Sequence, residues 1–175
     1  MCPKHVEGFI HDLMDNVLKA ANFEDGILMP CTLRLQVGKK SLAAYADREG
    51  RRGTEILDED KHKFDRRWRR GDIQLIANMI AAVQTNESVL NKVYPTNMLG
   101  IKFHADCVFF YSACVTKEYL DDLANEGKPN STLVVKKFPK DRELSLSIPA
   151  DRKEIFMYLS ALKNYAMSLE PLYPL

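Results

Sequence analysis

Asp65-Arg66-Arg67-Trp68-Arg69-Arg70 is the segment whose residue types suit specific binding best. A guanidinium fork binds phosphate or carboxylate through two parallel hydrogen bonds, and an indole stacks on a base. Arg51 and Arg52 lie in the same basic stretch. From Arg48 to Arg70 there are seven Arg and two Lys against six acids, and from Lys61 to Arg70 six basic residues face only Asp65. The candidate binding set is therefore Arg51, Arg52, Arg66, Arg67, Trp68, Arg69 and Arg70. Its matching partners are nucleic acid, an acidic protein patch or an anionic surface. A plain structural helix from Glu55 to Arg70 explains the same residues. Asp58-Glu59-Asp60 would occupy its first turns and the arginines its last, the distribution the helix dipole favours. Phe64 and Trp68, four apart, would face inward.

Other combinations supply the types for chemistry. His104, Asp106 and Cys107 could make a nucleophile with a base and an orienting acid, and mark a small enzyme as one alternative. Neighbours on a strand rarely converge, and Cys107 and Cys114 lie in apolar sequence, as buried inert thiols do. Cys2 with His5 and His104 with Cys107 are two pairs, each three apart, that could hold zinc, although about 100 residues separate them. Asp58, Asp60, His62 and Asp65 are oxygen-rich enough for a hard cation, or simply a solvated helix start. The chain has no phosphate-binding glycine loop, dinucleotide fingerprint or Gly-x-Ser-x-Gly elbow. The expectation is a protein without cofactor, resident metal or catalytic residues.

The elements that must position these residues follow from hydrophobic periodicity. Phe9, Ile10, Leu13, Met14, Val17 and Leu18 predict a helix over 6–21, ended by Asn22 and Gly26. Thr32–Val37 alternates with period two, turns at Gly38-Lys39-Lys40, and returns over Ser41–Ala46. Asp47–Gly53 reads as a loop. Gly71 breaks the chain and Asp72 caps a buried helix, Ile73–Val83, with Ile76, Met79 and Ile80 as its stripe. Met98–Val115 is β-branched and aromatic, two strands or one bulged strand. Thr116 caps a short helix over Lys117–Asn125 that stops at Gly127 and Pro129. Leu133–Phe138 and Glu143–Ile148 read as a second hairpin, and Asp151 caps a last helix to about Leu169.

Hairpin-linked strands with interspersed helices predict an α+β fold: an antiparallel sheet built largely from two hairpins, with helices packed on one face. The length of 175 residues fits a single domain over 1–175, carrying a charged Arg-rich insert at about 47–71. The net charge of +1 makes the whole molecule no obvious polyanion binder. Four irregularly spaced cysteines, no signal-like start and no long apolar run predict a reduced, cytoplasmic protein without a membrane span.

The order of Val6–Ala21, Thr32–Ala46, Ile73–Val83, Leu133–Ile148 and Asp151–Leu169 resembles that of the bacterial type III secretion chaperones. That resemblance implies a dimeric α+β protein that binds an effector's unfolded segment. The family is typically acidic, and this chain is not. The helix at Lys117–Asn125 and the Arg-rich stretch also depart from its pattern. The expected function is non-catalytic: binding and regulation through a protein partner or self-association, by a sheet face, a sheet edge or a helix groove. Nucleic-acid binding through residues 48–70 is the alternative.

Overall fold

The computed structural model describes residues 4–23, 28–50, 56–61, 68–90 and 96–168. They form an α+β fold, with elements α1 (Lys4–Ala20), β1 (Leu28–Val37), β2 (Lys40–Gly50), β3 (Ile56–Lys61), α2 (Trp68–Leu90), β4 (Thr96–His104), β5 (Cys107–Val115), α3 (Lys117–Glu126), β6 (Val135–Phe138), β7 (Leu144–Ser145) and α4 (Pro149–Ser168). The strands make one sheet in the order β1-β2-β3-β4-β5-β6, and β7 pairs with β5 beyond the end of β6. Every pairing is antiparallel except β3–β4.

Local signals set several elements. Asn22 takes the left-handed conformation at φ 60°, and the Phe23 N–H closes back on the Leu18 carbonyl, so α1 stops there. Gly38, at φ 55°, allows the tight turn that returns β1 into β2. The Thr116 hydroxyl accepts from the Tyr119 N–H at 3.3 Å to start α3, and Gly127 at φ 74° ends it. Ala105 and Asp106 form the two-residue turn between β4 and β5, so Met98–Val115 is two strands in a hairpin.

Residues 56–61, expected as helix, form a strand whose parallel register runs from Ile56↔Leu99 to Lys61↔His104. Parallel neighbours need a crossover of a dozen or more residues, and α2 supplies it. Pairing on both sides, with β2 and β4, overrides the helical preference of the charged run. The Arg-rich stretch thus contributes an inner strand as well as the start of α2. Residues 47–50, expected as loop, continue β2 to meet β3.

Gly71 and Asp72 do not break and recap the chain. They lie inside α2; of the expected stripe Met79 and Ile80 are buried and Ile76 packs partly buried against the core, joined by Leu75, Asn78, Ala81, Ala82 and Val83, while Ile73 is exposed. Leu75 settles on Gly100 of β4, where an added Cβ would meet its side chain at 3.0 Å. Residues 133–138 and 143–148 do not pair with each other as a hairpin. β6 takes Phe110–Ala113 of β5, and β7 takes Cys107 and Val108. Among the described strands, β1–β2 and β4–β5 pair across two-residue turns, and β2 also pairs antiparallel with β3, the next strand in the chain.

The helices cover both faces of the sheet rather than one. Met98, Phe109, Tyr111, Ala113 and Val115 pack with α2 and α3. Ile101, Phe103, Val108 and Phe110 pack with Met14, Val17 and Leu18 of α1 and Ile155 and Leu159 of α4. β4 and β5 are apolar on both sides, as strands covered on both faces must be. No helix among the described residues is long and apolar enough to cross a membrane.

Candidate binding groove

Leu99, Phe110 and Phe138 are neighbours on the α4-facing side of β4, β5 and β6. Tyr158, Ala161, Leu162 and Tyr165 lie on α4 opposite them. Together with Ser112 and Lys136 they wall a groove of about 330 Å³. That volume lies at the low end of the range for ligand pockets. Helical spacing places Tyr158, Leu162 and Tyr165 on one stripe of α4. Period-two alternation brings Phe110 and its partner Phe138 to the same side. Phe138 stands edge-on to Tyr158 at 4.8 Å between ring centres, and Phe110 is 5.5 Å from the same ring. Phe138 is nevertheless 40% exposed. Lys136 is the one charged residue lining the groove among the described residues.

The end of the sheet lies beside the groove. β6 is last in strand order, and no strand pairs with its outer edge among the described residues. The opposite end is treated differently. The side-chain amide of Gln84 on α2 accepts from the Gln36 N–H at 2.8 Å and donates to the Gln36 carbonyl at 3.1 Å, covering the edge of β1 as a strand would.

A polar cluster lies on the other face. Lys102, 1% exposed on β4, gives its ammonium to Asp72 of α2. The Tyr111 hydroxyl donates to the same carboxylate oxygen at 2.9 Å. Lys137 of β6 stands 3.9 Å from the second oxygen, with its ammonium 4.1 Å above the Phe109 ring. Burial first, then the hydrogen bond and charge of Asp72, raise the Tyr111 phenol far above its ordinary value.

Of the predicted binding set, Arg51, Arg52, Arg66 and Arg67 lie outside the described residues. Trp68, Arg69 and Arg70 open α2. They stand at a helix N-terminus, not the C-terminus that would explain them by dipole complementarity. His104 and Cys107 close the β4–β5 hairpin as direct partners on the α2 side. The Cys107 thiol donates to Glu143 at 3.5 Å and Asp106 at 3.9 Å. Both are carboxylates, the wrong sign of charge to stabilise a thiolate. Asp106 also accepts from Ser145 Oγ at 2.5 Å, which ties the turn to β7. Cys2, His62 and Asp65 of the two metal readings lie outside the described residues, as do the side chains of His5, Asp58 and Asp60.

Neither groove nor polar cluster emerged from the sequence reading. A lysine inside the apolar strand Ile101-Lys102-Phe103 was the available signal for the cluster. The groove had none, because it depends on β6 pairing with β5. No family model, no curated protein and no solved structure matches the chain. The likeness to the secretion chaperones is one of element order alone.

Proposed function

We propose that this protein is a non-catalytic binding module that captures an apolar segment of a partner protein in the groove between β4–β6 and α4. One observation carries the reading: an open, aromatic-walled groove with a part-exposed phenylalanine lies beside a sheet edge that no described strand pairs. Buried aromatic anchors dominate protein interfaces. The polar groups of the lining are few, and the Tyr158 hydroxyl is already given to Glu154 at 3.3 Å. Selection of a random peptide library on the purified protein tests the reading. Enriched peptides are expected to carry aromatic or aliphatic residues, to slow amide exchange in 108–113, 135–138 and 155–165, and to lose binding in Leu162→Glu. Protection elsewhere, or binding indifferent to Leu162→Glu, rejects it.

A second reading rests on the position of Arg69 and Arg70 at the start of α2. Basic side chains and the positive end of a helix dipole both attract phosphate. Oligonucleotide titration followed by fluorescence of Trp68, the only tryptophan, tests it. Saturable quenching that weakens with salt supports it, and an unchanged spectrum rejects it.

A further inference from the structure

We infer that the partner segment binds by adding a strand to the outer edge of β6, and that its pattern is apolar–acid–acid–apolar. This rests on the groove reading above and names the ligand of that site. The Ala105-Asp106 turn makes His104↔Cys107 a hydrogen-bonded pair, because a two-residue hairpin closes on one. Alternation then directs the backbone groups of Val108, Phe110 and Ser112 away from β4. They meet Phe138 and Lys136 through Phe110↔Phe138 and Ser112↔Lys136. The N–H and C=O groups of Val135 and Lys137 therefore point outward, where no described strand receives them.

The side chains of β6 decide what can lie there. Phe138 and Lys136 project to the groove face, Val135 and Lys137 to the α2 face. Residues directly opposite in a sheet interact, with apolar pairs and unlike charges favoured. A strand beside Val135-Lys136-Lys137-Phe138 is best matched by an apolar residue, two acids and an apolar residue. The pattern reads the same in either direction, so it holds for parallel and antiparallel addition. The apolar residue opposite Phe138 lies at the groove. A second copy of this chain fits poorly: antiparallel pairing of two β6 edges sets outward-facing residues against each other, so the overlapping registers place Lys136 against Lys136 or Lys137 against Lys137, like charges that repel. Lysines on an edge strand are a standard guard against such self-pairing.

Fluorescence anisotropy with labelled peptides tests the inference. The probe contains Ile-Glu-Glu-Ile flanked by serines. The controls are Glu-Ile-Ile-Glu of equal composition, Ile-Lys-Lys-Ile, and the probe N-methylated at alternate residues in each of the two phases. The inverted and charge-reversed peptides are expected to bind about tenfold more weakly, a summed effect of cross-strand pairs. One phase of N-methylation should abolish binding and the other leave it. Lys136→Glu should remove the preference between Ile-Glu-Glu-Ile and Ile-Lys-Lys-Ile, because each peptide then makes one favourable and one unfavourable charge pair. Equal binding of the inverted peptide, or indifference to both methylation phases, overturns the strand-addition inference. If Leu162→Glu still abolishes such binding, the groove reading survives alone. If no peptide binds and the library selection also fails, both readings fall.

Discussion

Tyr111 on β5 donates its phenol to Asp72 on α2 at 2.9 Å, reaching the carboxylate oxygen that also holds the buried ammonium of Lys102. Burial, with the hydrogen bond and charge of Asp72 behind it, keeps this phenol protonated well above its ordinary value of 10. Above about pH 10 the unfolded chain releases a proton that the folded chain retains. Stability therefore falls as pH rises from there toward the folded-state value. Urea unfolding at intervals between about pH 9 and 11 should show this slope, at most about 1.4 kcal/mol per pH unit for one proton. Tyr111→Phe should flatten it. An unchanged slope in that variant would assign the alkaline loss to other groups.

The Lys102–Asp72 pair makes a sharper demand. Lys102 is 1% exposed, so deleting its partner leaves a charge with little access to water. Asp72→Asn is expected to cost about 3–5 kcal/mol, the usual penalty for breaking a buried pair from one side. Asp72→Asn combined with Lys102→Met should recover much of that loss, because the double change removes the stranded charge. Chemical denaturation of the two single variants and the double variant measures the coupling. Additive losses would show that the two side chains act independently.

The elements legible in the sequence were those whose signals are local. α1, the β1–β2 hairpin and α3 each carry a periodic stripe, a turn or a cap within a few residues, such as Thr116 and Gly127 around α3. The misread parts depend on partners far along the chain. Ile56–Lys61 holds four charged residues in six, and becomes a strand because Leu99–His104 pairs with it in parallel. Residues 133–148 look like a hairpin when adjacency is assumed, yet both halves pair with β5. Asp72 is 30 residues from Lys102 and 39 from Tyr111, so no spacing rule joins them. The arginines could be found by composition, but the end of the helix they occupy could not.

The β1–β2 turn and the end of α3 are stapled together through one carbonyl. Leu123 O accepts from the Gly38 N–H at 2.8 Å and from the Gly127 N–H at 3.1 Å, and both glycines have positive φ. A Cβ on Gly127 would come no closer than 3.6 Å to Gly38, which is ordinary contact, so the cost of Gly127→Ala is backbone strain alone. That cost is about 1–2 kcal/mol, or roughly 2–8 °C in melting temperature for a chain of this size. Gly127→Asn should lose less, because asparagine tolerates the left-handed region. Thermal unfolding of the two variants orders them, and an alanine variant as stable as the parent would mean that the helix end rearranges.

Arg69 and Arg70 begin α2, where the unpaired N–H groups carry partial positive charge. Acids are favoured there by about 0.3–1 kcal/mol each, and basic residues are opposed. Arg69→Glu/Arg70→Glu should therefore raise stability by about 1 kcal/mol, a gain of roughly 2–4 °C in melting temperature. Measured beside an oligonucleotide titration, the same variant separates two roles. A stabilised protein that loses salt-sensitive oligonucleotide binding would mark the arginines as ligand-binding groups held against the local preference of the helix. A stabilised protein whose parent never bound oligonucleotide would leave the groove and the β6 edge as the binding surface. A destabilised variant would mean that the two guanidiniums hold the start of α2 in place, and would reject the dipole argument.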